Sequence, residues 1–292
     1  MNKRSATEPR SISLEANGRD YSALVYGDIG PTVFCLHGFP DTNRTFRYQA
    51  EALVQQGLQV VCPCMPGYEI TTVNPDTRYH SDYLSDEILA IIDAWTADKV
   101  HLVGHDWGAF VAYAAVIKAA ERFKSVTTLT VPYNLSFSVV PFKAPKQLAY
   151  SWYMGFFQLV GIAEWALERN HFQLIDTLYT NWSPGWKVPT EQLADVKLRL
   201  SVPAVKSAAL GYYRALKSRS AARYMNASIK VPALLLRGEL DGCIASQTWK
   251  LIKPACFEKG LRVCSVDAGH FLHQEKPEQV NALLIEHILN NQ

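Results

Sequence analysis

The chain lacks an excess of charge of either sign. Its 292 residues carry a net charge of +2, and Asp, Glu, Lys and Arg together make up only 19% of them. No dense stripe of lysine and arginine is present, so we expect no nucleic-acid partner. Hydrophobic residues account for 48%, which is ordinary for a globular protein that buries a core.

Signals for export, membrane insertion and structural metal are also missing. The first ten residues contain no apolar segment of the secretory kind. Residues 148–167 approach the length of a membrane span, but six aromatic residues and two glycines favour buried, pocket-lining helices. Cys62 and Cys64 are too close for a ready disulfide and have no matching His/Cys pair for zinc. We expect a cytoplasmic chain with reduced thiols, no integral membrane segment and no metal.

Short apolar runs alternate with helical patterns through the first 131 residues. Two alternating runs, at 11–15 and 21–26, predict an antiparallel opening hairpin. Further strands are predicted at 32–36, 59–62, 100–103 and 125–130, with intervening helices at 45–56, 82–95 and 109–120. Strands that alternate with helices predict an α/β fold, with a mostly parallel sheet covered on both faces.

A different pattern interrupts this alternation between residues 132 and 227. The segment has no strand-like run and is rich in aromatic residues and helix formers. Alternation returns with strands at 231–237 and 261–266 and with a closing helix at 277–290. The sequence therefore predicts an α/β core, residues 1–131 and 228–292, into which a helical segment, residues 132–227, is inserted.

The residues after the 100–103 strand carry the most specific chemical signal. Residues 104–108 read Gly-His-Asp-Trp-Gly and stand between an apolar strand and a helical segment. This is the context of a nucleophile elbow, a sharp turn that exposes its central side chain above a parallel sheet. That central residue is Asp106 instead of the more usual serine. A carboxylate displaces leaving groups from saturated carbon and forms an alkyl ester, which predicts epoxide opening or dehalogenation.

Such an ester must be hydrolysed by an activated water. His270, just past the 261–266 strand, is the candidate base, and Asp241, just past the 231–237 strand, is the acid that would orient it. Along this chain the nucleophile comes first, the acid second and the histidine third, which is the order found in hydrolases with this elbow. His273 as the base and Glu239 as the acid remain open alternatives.

The ester also needs an oxyanion hole, because hydrolysis places negative charge on the carbonyl oxygen of Asp106. His37-Gly38-Phe39-Pro40 follows the 32–36 strand directly. We expect the backbone N–H groups of Phe39 and Trp107 to converge on that oxygen. The sequence leaves open whether a cis bond precedes Pro40.

These motifs together resemble those of α/β-hydrolase-fold enzymes of the epoxide hydrolase and haloalkane dehalogenase branch. The resemblance covers residues 11–131 and 228–292, and it implies that the helical insertion is a cap over the active site. Epoxide hydrolases of this branch use two cap tyrosines to donate hydrogen bonds to the epoxide oxygen. The segments at 152–158 and 211–215 resemble those that carry them, at Tyr153 and Tyr213, with Tyr150 and Tyr212 as rivals.

The resemblance favours an epoxide hydrolase over a dehalogenase. Phe39 stands where many dehalogenases carry a halide-binding asparagine, and Trp107 stands where fluoroacetate dehalogenases typically carry arginine. The implied substrate is a small hydrophobic epoxide, and no cofactor is required. The residues expected to contact the substrate are His37, Pro40, Trp152, Phe157 and Tyr212. Two alternative functions stay open, a dehalogenase and a non-catalytic binding protein. Whether the chain forms a homodimer also stays open.

One position departs from the family pattern. Pro66-Gly67-Tyr68 is followed by Glu69, whereas the family often has glycine there. We expect any effect of Glu69 to be confined to the loop or to the rim of the pocket.

Overall fold

A computed structural model describes residues 8–75, 79–133, 140–217, 224 and 227–292, and for residues 140 and 141 it describes only the backbone. Residues 1–7 and 76–78 of the predicted core lie outside this description. So do residues 134–139, 218–223 and 225–226 of the predicted insertion.

An eight-stranded sheet forms the centre of the described chain. The strands are β1 (Arg10–Ala16), β2 (Arg19–Tyr26), β3 (Thr32–Leu36), β4 (Gln59–Pro63), β5 (Val100–His105), β6 (Phe123–Leu129), β7 (Ala233–Gly238) and β8 (Leu261–Val266), in the order β1-β2-β4-β3-β5-β6-β7-β8. The pairs from β4 to β8 are parallel, and β1 and β2 join antiparallel at one edge. The predicted mostly parallel sheet and its opening hairpin are confirmed.

Helices cover both faces of this sheet. They are α1 (Arg47–Val54), α2 (Ser81–Trp95), α3 (Trp107–Lys118), α4 (Val140–Lys143), α5 (Lys146–Tyr150), α6 (Trp152–Phe156), α7 (Ile162–Trp182), α8 (Thr190–Leu200), α9 (Pro203–Arg214), α10 (Leu272–Glu275) and α11 (Pro277–Leu289). Apolar side chains of α2 and α3 join one core cluster, and those of α1 and α11 join a second. Strands β3, β4 and β5 are therefore buried along their whole length, as central strands of a doubly covered sheet must be.

The described residues between β6 and β7 are mainly helical. They form α4 to α9, and α7 is interrupted at Arg169–Phe172, where three residues have positive φ. Phe157 and Tyr179 from these helices are buried in the same cluster as Phe39 and Trp107 of the sheet side. The division into a core and a cap stays a prediction. None of the helices in the described ranges is long and apolar enough to cross a membrane.

Gly108 allows α3 to approach β3. A Cβ atom at this position would lie 2.0 Å from the carbonyl oxygen of Leu36, a backbone atom that cannot turn aside. We expect Gly108→Ala to lower the free energy of unfolding by about 3 kcal/mol, because α3 would be forced away from the sheet. Urea denaturation followed by circular dichroism measures this loss.

Gly155 in α6 provides the matched control. A Cβ atom there meets nothing within 4 Å, so Gly155→Ala should leave stability unchanged or raise it by about 0.5–1 kcal/mol. Equal losses for the two alanine variants would contradict the close packing of α3 on β3.

Candidate active site

Asp106 occupies the turn between β5 and α3. Its backbone has φ 52° and ψ −118°, a conformation that non-glycine residues rarely adopt and that costs about 1–3 kcal/mol. A Cβ atom on Gly104 would lie 2.3 Å from the carbonyl oxygen of Gly108, so the turn closes only with glycine at that position. The N–H groups of Ala109 and Phe110 both donate to the Asp106 carbonyl, which begins the helix.

The carboxylate of Asp106 is held from two sides. The backbone N–H of Phe39 donates to its Oδ1 at 2.8 Å, and Nε2 of His270 lies 3.5 Å from its Oδ2. A Cβ atom on Gly38 would lie 2.4 Å from Oδ1 and 2.7 Å from the backbone nitrogen of Trp107. Gly38 thus leaves room for the two predicted oxyanion donors, of which the Phe39 N–H already contacts the carboxylate. The Phe39–Pro40 bond is cis.

His270 is oriented by Asp241. The ring Nδ1 of His270 lies 3.1 Å from Asp241 Oδ2, and Asp241 Oδ1 accepts hydrogen bonds from the backbone N–H groups of Cys243 at 2.7 Å and Ile244 at 2.9 Å. This arrangement directs Nε2 of His270 toward Asp106. Burial opposes a charge on the imidazole, but Cys243 and the carboxylates of Asp241 and Asp106 raise the pKa of His270 well above its usual range.

The two alternatives for the base and the acid are located elsewhere. Glu239 is exposed to solvent. His273 is buried with its Nε2 2.6 Å from Thr45 Oγ1, and burial beside the histidine at position 105 lowers its pKa well below the usual value. The structure therefore brings His270 and Asp241, rather than His273 and Glu239, to the carboxylate of Asp106.

The ring of Tyr153 packs edge-on against the ring of Tyr213. Their ring centroids are 5.6 Å apart, and the ring of Tyr213 lies 5.0 Å from that of Trp107. The Tyr153 hydroxyl lies 3.2 Å from Cys243 Sγ, and no hydrogen bond of good geometry joins the buried Tyr213 hydroxyl to a residue that the structure describes. Burial, reinforced by the negative charge of Asp106, raises the pKa of both tyrosines well above the usual value, so both keep their protons.

Tyr212 and His37 have partners that make them poor candidates for substrate contact. The Tyr212 hydroxyl donates to the Pro66 carbonyl at 2.6 Å. Nε2 of His37 accepts from the Met65 N–H at 3.0 Å, and its Nδ1 lies 3.1 Å from the Gly38 carbonyl. Both side chains hold loops in place, because all of their polar ring atoms are engaged with backbone. Their expected contact with the substrate stays a prediction.

The other three residues expected to contact substrate differ from one another. Phe157 is buried, with its ring 5.0 Å from Tyr213 and 5.6 Å from Phe39, so it packs against a predicted catalytic residue. The Pro40 carbonyl accepts a hydrogen bond from a tyrosine of α7 at 2.6 Å. Trp152 is 49% exposed, and its ring lies edge-on to that of Tyr153 at 6.3 Å. Of the three, Phe157 is the one whose side chain is both buried and packed against the predicted catalytic residues.

Sequence reasoning missed the contacts that hold the His270 loop. The Trp182 carbonyl, at the end of α7, accepts from the N–H groups of Gly242 at 3.0 Å and His270 at 2.9 Å. Ser183 Oγ donates to Glu275 at 2.6 Å, and Glu275 accepts from the Gly269 N–H at 2.8 Å. A backbone carbonyl has no sequence signature, so no motif pointed to the first of these contacts.

Two buried groups in the described ranges bring potential metal ligands within 4.8 Å of one another. One is Asp241 with Cys243 and His270, which is the predicted acid–base pair beside a thiol. The other is Asp41, His105 and His273. Burial raises the pKa of Asp41 to about 7, and its carboxylate already accepts hydrogen bonds from three neighbouring residues.

The chain matches the alpha/beta hydrolase fold family over residues 31–277 and therefore belongs to it. It is 28% identical to the AB hydrolase superfamily protein YfhM of Bacillus subtilis, over 89% of this chain and 91% of that protein. It is 29% identical to epoxide hydrolase 3 of Siraitia grosvenorii, over 93% and 95%. The crystal structure of epoxide hydrolase VrEH1 from Vigna radiata is 28% identical and has a TM-score of 0.82, over 98% of this chain and 100% of that one. The expected fold and the resemblance to epoxide hydrolases are confirmed.

Five buried histidines predict how stability depends on pH. Burial lowers the pKa of His37 and His105 to about 3 and that of His101 to about 4, and it also lowers the pKa values of His273 and His287. Unfolded, all five would titrate near 6.5. Below that pH the unfolded state binds more protons at these positions, so their contribution to stability should fall as the pH drops toward about 4. Asp41 and His270 oppose this trend, because the pKa of each is raised.

His101 lies in β5 and is hydrogen-bonded to Ser125. Its replacement allows the contribution of a single histidine to the pH dependence of stability to be measured. We expect the loss of stability between pH 7 and pH 5 to be about 2 kcal/mol smaller in His101→Gln than in the parent protein. Urea denaturation at both pH values measures the difference. An identical pH dependence in the two proteins would contradict a neutral His101.

Proposed function

We propose that the chain is an epoxide hydrolase that opens a hydrophobic epoxide to a vicinal diol through an ester on Asp106. The observation that carries this proposal is the pair of buried, protonated tyrosine hydroxyls, Tyr153 and Tyr213, beside the Asp106–His270 contact. Similarity to proteins named epoxide hydrolases supports it. We also propose that α4 to α9 form the cap that supplies these tyrosines.

In the first step, Oδ2 of Asp106 attacks an epoxide carbon. Its Oδ1 is engaged by the Phe39 N–H, which leaves Oδ2 as the nucleophile. The carbon–oxygen bond of the ring breaks as the ester bond forms. Tyr153 and Tyr213 donate hydrogen bonds to the departing oxygen, which stabilises its developing negative charge. Phe157 and Phe39 give this space an apolar wall suited to a hydrophobic substrate.

The second step follows from the charge on His270. In the free enzyme two carboxylates hold the imidazole protonated. Esterification removes the charge of Asp106, so the pKa of His270 falls and its proton passes to the alkoxide. The neutral imidazole, still oriented by Asp241, then deprotonates water that attacks Cγ of Asp106. The Phe39 and Trp107 N–H groups stabilise the oxyanion on Oδ1. Collapse of this adduct breaks the Cγ–Oδ2 bond, and Oδ2 takes the proton of the newly added hydroxyl. The neutral diol leaves with Oδ2, and the carboxylate of Asp106 and the protonated His270 are restored.

Halide displacement by the same carboxylate is the alternative reaction. It would require N–H donors around a halide, and the Phe39 side chain has none. A binding protein without catalysis would have no need for the complete set of Asp106, Asp241 and His270. Incubation with styrene oxide-type and haloalkane probes, scored for diol and for halide, separates the three functions. Diol from the first probe supports the proposal, and its absence together with halide release contradicts it.

Replacement of the two tyrosines tests ring opening. We expect Tyr153→Phe and Tyr213→Phe each to slow the opening of a styrene oxide-type probe by about 10²-fold, because the alkoxide loses a donor. The matched control is Tyr212→Phe, whose hydroxyl bonds to backbone and should change the rate by less than about threefold. Single-turnover kinetics measures all three rates. If Tyr212→Phe slowed ring opening and Tyr213→Phe did not, the assignment of Tyr213 as a hydrogen-bond donor to the epoxide oxygen would be overturned.

Replacement of the base tests the intermediate. His270→Gln should open the ring but fail to hydrolyse the ester, so the protein should gain the mass of one substrate molecule. Mass spectrometry of peptides should locate the adduct on Asp106. Asp106→Ala is the control that should gain no mass and form no diol. Substrate consumption by His270→Gln without any adduct would count against a covalent route.

A further inference from the structure

The outer side of α5, α6 and the start of α7 carries a concentration of exposed apolar side chains. Six large ones, each at least 48% exposed, fall within residues 148–165: Leu148, Trp152, Leu159, Val160, Ile162 and Trp165. We call these six residues the α5–α7 face. Single exposed apolar residues are ordinary, but a cluster of this kind marks an interaction surface.

Core packing does not account for the α5–α7 face, because the same helices bury a second set of side chains. Tyr153, Phe157 and Leu167 are buried against the sheet side, whereas Trp152 and Trp165 point outward on the same elements. The turn between α6 and α7 is ordered by the Ala163 N–H, which bonds to the Leu159 carbonyl at 2.9 Å. The outer side is therefore a built surface with no partner within the described chain.

The charges around this face that have no ion-pair partner within the described chain are positive. Two glutamates lie beside it. Both oxygens of Glu164 are bound by Arg214, at 2.8 and 3.0 Å, and the exposed Glu168 pairs with Lys206. Lys143 and Lys146 are exposed at one end, and the exposed Arg169 guanidinium lies 4.5 Å over the Trp165 ring at the other. None of these three cations forms an ion pair with a residue that the structure describes.

We infer that the α5–α7 face docks on the surface of an anionic lipid bilayer, without crossing it. Exposed tryptophans with aliphatic neighbours suit the boundary between headgroups and acyl chains, and flanking cations are attracted to anionic lipids. A second copy of the chain fits less well. A two-fold contact through the same patch would bring these unpaired cations near their own counterparts.

The position of α6 gives this docking a consequence, which rests on the proposed function. Trp152 is exposed on that short helix, whereas Tyr153 next to it and Phe157 directly after it are buried. A hydrophobic epoxide dissolved in the bilayer would be separated from Asp106 by little more than one helix. Docking would therefore deliver substrates that are scarce in water.

Vesicle co-sedimentation of the full chain tests the inference. Vesicles of phosphatidylcholine with about one third phosphatidylglycerol should bind the protein at least 10-fold more tightly than pure phosphatidylcholine, and about 0.5 M salt should weaken that binding. Val160→Asp with Ile162→Asp should reduce binding at least 10-fold, because both aspartates would face lipid. The matched control is Ile29→Asp, an 84% exposed position far along the chain in the β2–β3 loop, which should bind as the parent does.

Three results would overturn the inference. They are failure of the parent chain to bind anionic vesicles, equal binding by the double aspartate variant, and a lipid-free dimer that this variant dissociates. The last result, seen by analytical ultracentrifugation, would assign the face to self-association. Turnover of a water-soluble probe should be the same in the parent and the double variant. That readout separates a failure of docking from a failure of the proposed function.

Discussion

The contact between the Asp106 carboxylate and the His270 imidazole, 3.5 Å apart in a buried site, is the interaction on which the rest of the structure depends. Each end is fixed by a different part of the sheet. Gly104 and Gly108 permit the strained turn that presents Asp106, and Asp241 orients His270 from the end of β7. The proposed chemistry follows from this pairing, because esterification of one partner changes the pKa of the other.

The helices between β6 and β7 also take part in this arrangement. The Trp182 carbonyl of α7 accepts from the His270 backbone, so His270 is positioned by α7 as well as by the end of β8. Glu69, the departure from the family pattern, accepts a hydrogen bond from the Ser22 N–H and pairs with Arg199 of α8 at 3.3 Å. Glu69 thus links β2 to α8, one of the helices between β6 and β7, and makes no contact with the residues predicted to be catalytic.

The sequence predicted what depends on local patterns. Strands β3 and β8 were predicted to the residue. A continuous apolar run with clear ends defines the buried β3, whereas β8 alternates apolar with polar residues and is partly exposed. The elbow at Asp106 was evident from its glycines. The sequence could not establish which of Tyr212 and Tyr213 is the hydrogen-bond donor, because adjacent residues on one helix differ only in the direction in which their side chains point. The contact of His37 with the Met65 N–H and the role of the Trp182 carbonyl were missed, since their partners are backbone atoms distant in sequence.

A single turnover in water labelled with oxygen-18 tests the covalent route most directly. Water that attacks Cγ of Asp106 leaves its oxygen in the carboxylate, and the diol departs with an oxygen that belonged to the protein. With protein in excess over a styrene oxide-type probe, we expect unlabelled diol and a peptide containing Asp106 that is about 2 Da heavier. Labelled diol in this first turnover, with an unchanged peptide, would contradict the ester intermediate.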